Sequence, residues 1–190
     1  MTSREIEEYK ALRATIRERG TTRVWVFLAG LFAWAALTVA TAALAALPVA
    51  TLLPLLVLAA SFEAVFSLHT GVERIGRYLQ VFYEPDGSGW EQTVMAFGRE
   101  APRSGPDPLF TPFYVLATLL NFVPVILANP VPIELGVVGA VPLLFVARAL
   151  VARRSAGGQR ALDLQRFSHL RAQASPDSQD LRARASSQNP

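Results

Sequence analysis

The amino-acid sequence predicts an all-α integral membrane protein: a four-helix bundle of two tight transmembrane hairpins, with amphipathic helices at the cytosolic surface. The first observation is composition, because hydrophobic residues make up 52% of the 190-residue chain and charged residues only 17%, against about 25% in typical soluble domains. The second is the distribution of charge. All 18 lysines and arginines lie in three blocks, at 4–23, 74–103 and 148–184. Long apolar segments between basic ones are typical of proteins that follow the positive-inside rule.

Composition and motifs also exclude several kinds of chemistry. The chain has no cysteine, which excludes disulfides, thiolate metal sites and cysteine nucleophiles. The net charge of +3 is better explained by membrane topology than by nucleic acid, so no nucleic-acid partner is expected. The sequence contains no zinc-helix motif and no phosphate loop, and His69 and His169 have no carboxylate at ligand spacing. We therefore expect no enzymatic activity, no cofactor and no metal.

Residues 1–23 are predicted to form a cytosolic amphipathic helix. Thr2 and Glu5 have the spacing of a capping box, and Gly20 is expected to end the helix. Its apolar stripe consists of Ile6, Tyr9, Leu12 and Ile16. Three placements fit this stripe: on lipid, against another cytosolic helix, or in solvent.

The first transmembrane hairpin is predicted at 24–69. Pro48 separates two apolar runs with almost no loop, and each run is long enough, at about 1.5 Å per residue, to cross a hydrocarbon core of about 30 Å. Ala36 and Ala40 repeat at four-residue spacing, which favours close approach of another helix along that face. His69, at the end of the hairpin, is expected to be interfacial.

The segment 70–109 is predicted to be cytosolic and to lie at the level of the lipid headgroups. The apolar face of its first helix is expected to be shielded from water, whereas Glu73 and Arg77 on the opposite face should stay wet. The shielded residues are Val72, Ile75, Leu79 and Phe82. We expect anionic lipid headgroups as partners, and the candidate interfacial residues are Arg74, Arg77, Tyr78 and Trp90.

The second transmembrane hairpin is predicted at 110–152. Thr111 is the expected helix cap, with Pro112 at the first helical position. Gly136 and Ala140 offer a small-residue packing face on the last span.

The chain is predicted to end in a basic cytosolic helix at 153–174 and a polar, disordered tail at 175–190. Four spans return the N-terminus, the central segment and the C-terminus to one side, and these segments hold nearly all the basic residues. We therefore expect a plasma-membrane protein with both termini in the cytoplasm.

Three polar residues within the spans are candidate functional groups. Glu63 lies 15 residues after Pro48 and Arg148 lies 16 residues after Pro132, so the two charges reach similar depths from their hairpins. An unpaired charge near the membrane centre costs about 2.5–3.5 kcal/mol, which favours a buried pair. The alternative is that both side chains snorkel to the cytosolic interface. Asn121 is the third candidate, near the middle of its span.

Short motifs carry a resemblance to known proteins. They are the Glu-Tyr-x-x-Leu-Arg segment at 8–13, the Arg-Ile-Gly-Arg-Tyr segment at 74–78 with Glu84, and Gly-Trp-Glu at 89–91. In these the chain resembles a group of small uncharacterised bacterial membrane proteins, which implies no known activity. Arginine also outnumbers lysine 17 to 1, which favours a bacterial source with a GC-rich coding sequence.

Together these features predict a non-enzymatic membrane module that self-associates into a homo-oligomer and acts as a scaffold or a pore. The alternative is a small transporter or an ion or proton pathway that uses Glu63, Arg148 and Asn121.

Overall fold

A computed structural model describes residues 2–43, 48–84, 89–100, 107–127 and 130–174, and 93% of these residues are helical, with no strand among them. The predicted all-α class is confirmed. The helices are α1 (Ser3–Ala43), α2 (Leu52–Phe82, preceded by a 3₁₀ turn at Pro48–Thr51), α3 (Trp90–Glu100), α4 (Thr111–Leu120), α5 (Phe122–Leu127) and α6 (Pro132–Ala174). The tail at 175–190, predicted to be disordered, lies outside the described residues.

Three stretches are long and apolar enough to cross a membrane: α1, the 3₁₀ turn with α2, and α6. Their most apolar 18-residue windows have mean hydropathies of 2.0 to 2.2, which indicates a membrane location. The fourth apolar segment, Thr111–Ile126, is shorter and is divided into α4 and α5 at Asn121. Pro124 contributes to this break because it lacks the N–H that a continuous helix would donate to the preceding turn.

The chain divides into two compact units, and the boundaries between them fall within α1, α2 and α6. Unit 1 contains Met1–Ile16, Val72–Ser104 and Gly157–Pro190, and unit 2 contains Arg17–Gly71 and Gly105–Ala156. Unit 1 thus draws on the three segments that the sequence predicts to be cytosolic, and unit 2 on the two predicted transmembrane hairpins.

The core of unit 2 is aromatic. Phe62 on α2 is fully buried, and its ring meets the edges of Tyr114 on α4 at 5.2 Å and Phe145 on α6 at 5.8 Å. Phe27 on α1 contacts Tyr114 from another side, with ring centroids 5.7 Å apart. Such edge-to-face pairs stabilise more than their buried area alone, and here they join four helices.

Helices α1 and α2 approach each other closely at Gly30. A Cβ atom added to Gly30 would lie 2.1 Å from the Ser61 hydroxyl oxygen. That hydroxyl donates to the Val26 carbonyl at 3.3 Å and shares a hydrogen bond with the Tyr114 hydroxyl at 2.9 Å. A single glycine therefore lets a polar side chain reach the α1 backbone.

The small-residue faces predicted from sequence are not the ones that pack within unit 2. Ala36, Ala40, Gly136 and Ala140 are all exposed, and a Cβ atom on Gly136 would meet no described atom within 4 Å. Four-residue spacing of small residues is common in alanine-rich helices, so spacing alone did not distinguish these faces from the Gly30 contact.

The helix ends agree with the sequence in part. The Thr2–Glu5 capping box is confirmed, because the Thr2 N–H donates to Glu5 at 2.6 Å and the Glu5 N–H donates to the Thr2 hydroxyl at 3.3 Å. The expected stop at Gly20 is wrong, since α1 continues to Ala43. Without a following proline or a left-handed backbone, a glycine costs a helix only about 1 kcal/mol.

The start of α4 also differs from the prediction. The cap residue is Phe110, in the left-handed region with φ of 52°, rather than Thr111. The Asp107 carboxylate takes over the capping role by accepting the N–H groups of Leu109 and Thr111, both at 3.1 Å. Pro112 lies in the first turn, but at the second helical position rather than the first.

Replacing Gly30 by alanine should destabilise the protein by about 1–3 kcal/mol, because the new methyl group overlaps the Ser61 side chain. Gly136→Ala is the matched control: it makes the same change inside a membrane-length helix with no neighbour to displace. Thermal unfolding of both variants in one detergent checks this. Equal melting temperatures would show that the α1–α2 approach is not tight.

Candidate functional site

A buried arginine organises unit 1. Arg77 on α2 is 3% exposed, and its guanidinium donates to Asp163 on α6 at 2.8 Å and to Glu73 at 3.1 Å. Arg74 approaches Asp163 more weakly, at 4.0 Å, and is largely exposed. A buried cation between two carboxylates is held firmly, because loss of either side leaves an uncompensated charge.

The prediction that Arg77 stays wet is therefore wrong. Helix α2 does have the predicted polar face, but Asp163 on α6 packs against it. Arg77 is therefore buried in an ion pair and is not exposed to water. Leu79 on the apolar face is fully buried, in agreement with the prediction. No pattern within 70–84 alone reveals that both faces are covered.

Of the four candidate interfacial residues, two are engaged by the protein itself. Arg77 is buried as described, and the Tyr78 hydroxyl donates to Glu8 at 3.0 Å. Arg74 and Trp90 are exposed.

Glu84 is the second centre of unit 1. Its buried carboxylate accepts Arg13 on α1 and the Gln92 N–H on α3, both at 3.3 Å. Gly89 lies against the same carboxyl group, and a Cβ atom there would be 2.3 Å from the Glu84 carboxyl carbon. A side chain at this position would therefore require the Glu84 carboxyl group to shift.

The three motif segments that carry the family resemblance meet in unit 1. Glu8 contacts Tyr78, Arg13 contacts Glu84, and Gly89 contacts Glu84. The sequence motifs are short and far apart in the chain, so only the fold brings them together. The opposite charges of Arg13 and Glu84 are the one sequence feature from which contact between these segments could have been predicted.

Tyr78 lies at the centre of an aromatic group next to these ion pairs. Its ring stacks on Phe82 at 4.6 Å and meets the edge of Phe167 on α6 at 5.8 Å. Burial, followed by the hydrogen bond to the Glu8 carboxylate, raises the pKa of Tyr78 from 10.0 to about 12. Both causes disfavour a phenolate.

Unit 1 also contains an open groove of about 580 Å³. It is lined by Gln80, Val81, Gln92, Leu164, Ser168, Arg171 and Ala172. Gln80 donates to Gln92 at 3.0 Å, and Arg171 donates to the Val81 carbonyl. Amide, hydroxyl and guanidinium groups can form hydrogen bonds, but this lining contains no nucleophile paired with a base. Among the described residues, no group of three histidine or acidic side chains is placed to hold a metal ion.

In unit 2 the structure brings Glu63 and Arg148 into contact. An Arg148 terminal nitrogen lies 2.8 Å from a Glu63 carboxylate oxygen, and the guanidinium carbon lies 5.2 Å from the centre of the Phe66 ring. The Glu63 side chain is 48% exposed and the Arg148 side chain is 43% exposed. The geometry is that of a pair rather than of two independent snorkelling charges, but the pair lies on the surface of unit 2 and is not buried.

Asn121, the third candidate, is 2% exposed and uses both ends of its amide. It donates to the Thr51 carbonyl at 2.9 Å and accepts the Trp34 indole N–H at 3.4 Å. These bonds tie the break between α4 and α5 to the 3₁₀ turn and to α1. Its role in this geometry is structural.

None of the protein-family models, curated proteins or solved structures compared with the chain matches it. The resemblance to small bacterial membrane proteins therefore stays a prediction.

Replacing Arg77 by methionine should cost about 3–5 kcal/mol of stability, because it strands the Asp163 and Glu73 carboxylates in unit 1. Arg74→Met is the control, since that exposed side chain at 4.0 Å should contribute at most about 1 kcal/mol. Chemical unfolding in detergent measures both. Equal losses would contradict a special role for the buried arginine.

The stability of the wild-type protein should fall as pH rises from about 10 to 12. An unfolded Tyr78 ionises near 10.0, whereas the folded one keeps its proton to about 12, so the stabilisation is complete below pH 10 and is lost above it. Tyr78→Phe removes this contribution and should show a shallower fall over the same interval. Unfolding curves at several pH values, with phenolate absorbance as the readout of ionisation, check this. Parallel curves for the two proteins would refute it.

Proposed function

We propose that this protein is a non-enzymatic integral membrane scaffold that self-associates, with both termini and the central segment in the cytoplasm. The observation that carries the proposal is the composition of unit 1. The three segments gathered there come from the beginning, the middle and the end of the chain. They carry most of the basic residues, and the positive-inside rule assigns such segments to the cytoplasm.

The grouping of three segments in unit 1 limits how often the chain can cross the membrane. Because segments of one compact unit lie on the same side of the membrane, the chain between Ser104 and Gly157 must cross it an even number of times. If α6 crosses, α4 and α5 together must supply the other crossing. Their 17 residues, Thr111 to Leu127, span about 25 Å at 1.5 Å per residue, a little less than the hydrocarbon core.

The helix break at Asn121 is compatible with such a crossing. Prolines that interrupt a membrane-spanning helix are tolerated where neighbouring protein groups cover the freed backbone. Asn121 and its neighbours Ala117 and Thr118 are all buried in unit 2, and the Asn121 amide is satisfied at both ends.

The polar groups of unit 2 support a scaffold better than a transport pathway. Asn121 bonds to Trp34 and Thr51, and Ser61 bonds to Tyr114, so both act as internal ties. A path through a single chain would need these groups along one internal face. The alternative of an ion or proton pathway has one observation in its favour: Glu63 and Arg148 are half exposed, so an oligomer could line a path with them.

The expected lipid partners are anionic headgroups. Basic side chains directly beside a transmembrane segment attract the cytoplasmic leaflet, at about 1 kcal/mol for each residue near the surface. Exposed candidates are Arg17, Arg19, Arg74, Arg153 and Arg154. No nucleic-acid partner is proposed.

Topology reporters should read cytoplasmic at the N-terminus, within 101–106 and at the C-terminus, and external within 44–47 and 128–129. The even number of crossings is the reason, and reporter activity in intact cells is the measurement. An external C-terminus would mean that α4 and α5 do not cross, and the four-crossing proposal would fail.

Purified protein in sealed vesicles distinguishes the two candidate functions. A scaffold should give no more ion or proton flux than empty vesicles. Flux that Glu63→Gln abolishes, with the protein still inserted, would favour the pathway instead.

A further inference from the structure

The Glu63–Arg148 pair interrupts an apolar outer surface of unit 2. On α2 the exposed positions around it recur at intervals of three and four residues, and they are Leu53, Leu56, Ala60, Glu63 and Ser67. On α6 the exposed neighbours one turn before and after Arg148 are Leu144 and Val151. We call this surface, formed by both helices around the pair, the seam face.

The pair lies within the predicted hydrocarbon region. Glu63 is 15 residues from Pro48, which corresponds to about 22 Å along a helix inside a core of about 30 Å. Only one nitrogen–oxygen contact joins Glu63 and Arg148, so the second carboxylate oxygen and most guanidinium donors have no described partner. Charged side chains at such depth almost always face protein or water rather than lipid tails.

We propose that a second copy of this chain covers the seam face. The inference rests on the proposed membrane insertion and self-association, and adds the surface and the charges that join the two copies. In a two-fold dimer whose axis runs along the membrane normal, each residue keeps its depth in both copies. Because Glu63 and Arg148 already meet within one chain, Glu63 of one copy lies at the depth of Arg148 of the other.

Charge and shape both favour this occupant over a lipid. Two copies bring two carboxylates and two guanidinium groups together, a neutral set in which every charge gains a second opposite neighbour. An anionic headgroup would neutralise Arg148 but would be repelled by Glu63. Ala60 and Ser67, on either side of Glu63 and both exposed, are small enough for a second helix to approach closely.

Single cysteines test the face directly, because the chain has none of its own. Ala60→Cys and Ser67→Cys leave both charges in place and should give disulfide-linked dimers when native membranes are oxidised. Phe32→Cys is the matched control: it lies in unit 2 on α1, is 77% exposed, and should give at least several-fold less dimer.

Exchange of charge between two chains tests the role of the pair. In the Ser67→Cys background, Glu63→Arg alone and Arg148→Glu alone should each reduce the cross-linked dimer several-fold, because like charges then face one another. Co-expression of the Glu63→Arg chain with the Arg148→Glu chain should restore cross-linking, now between the two different chains.

Each outcome separates this inference from the broader proposal. Dimers that form at Phe32→Cys but not at Ala60→Cys or Ser67→Cys would keep self-association and overturn the seam face. No dimer at any position would overturn both. Dimers at the seam face that are indifferent to both charge reversals would overturn the part assigned to Glu63 and Arg148. Topology reporters on the same variants test membrane insertion independently.

Discussion

The hydrogen bonds of the Asn121 amide are the interaction on which the arrangement of unit 2 most depends. Where α4 gives way to α5, Pro124 cannot donate the N–H of a continuous helix, whereas Asn121 itself keeps right-handed helical angles. The Asn121 side chain bonds to the Thr51 carbonyl and to the Trp34 indole N–H, so it pairs two polar groups that would be costly to leave unpaired in an apolar interior and joins the break to the turn before α2 and to α1. The Ser61 hydroxyl does the same between α1, α2 and α4. The few polar residues of the apolar segments thus fix how those helices pack.

Unit 1 is held together mainly by contacts between charged side chains. Its segments are rich in charge, and ionic contacts replace a large apolar core. Arg77 joins α2 to α6 through Asp163, and Glu84 joins α2 to α1 and α3 through Arg13 and Gln92. Buried ion pairs stabilise little in net terms, but they penalise wrong partners strongly. Segments from the beginning, middle and end of the chain are therefore held in one specific arrangement.

Sequence patterns predicted what depends on local spacing. The all-α class, the apolar stretches and the Thr2–Glu5 cap follow from composition and from contacts within a turn or two. Counting residues from the hairpin prolines also predicted that Glu63 and Arg148 would lie at similar depth and pair, because a helix has a fixed rise per residue. Two failures were local, namely the stop at Gly20 and the cap of α4, and the others involve partners distant in the chain. Arg77 was expected in water because Asp163 is 86 residues away, and Asn121 could not be recognised as a structural tie because its partners are 70 and 87 residues away. The sequence alone did not distinguish Gly30 from other small residues, because its contact with Ser61 is visible only in the fold.

Glu63 and Arg148 pose a different question, namely why a chain keeps two charges where apolar side chains would serve stability better. Replacing a desolvated ion pair by packed hydrophobic residues is often neutral or stabilising, so stability of the single chain does not explain the pair. Apolar helices in lipid have little to distinguish one packing face from another, because lipid tails are as apolar as leucine. A charged pair breaks that equivalence: it favours one partner, one depth and one orientation, and it penalises every other contact. In the proposed assembly, the exposed position of the pair on unit 2 lets these charges select the partner, its depth and its orientation.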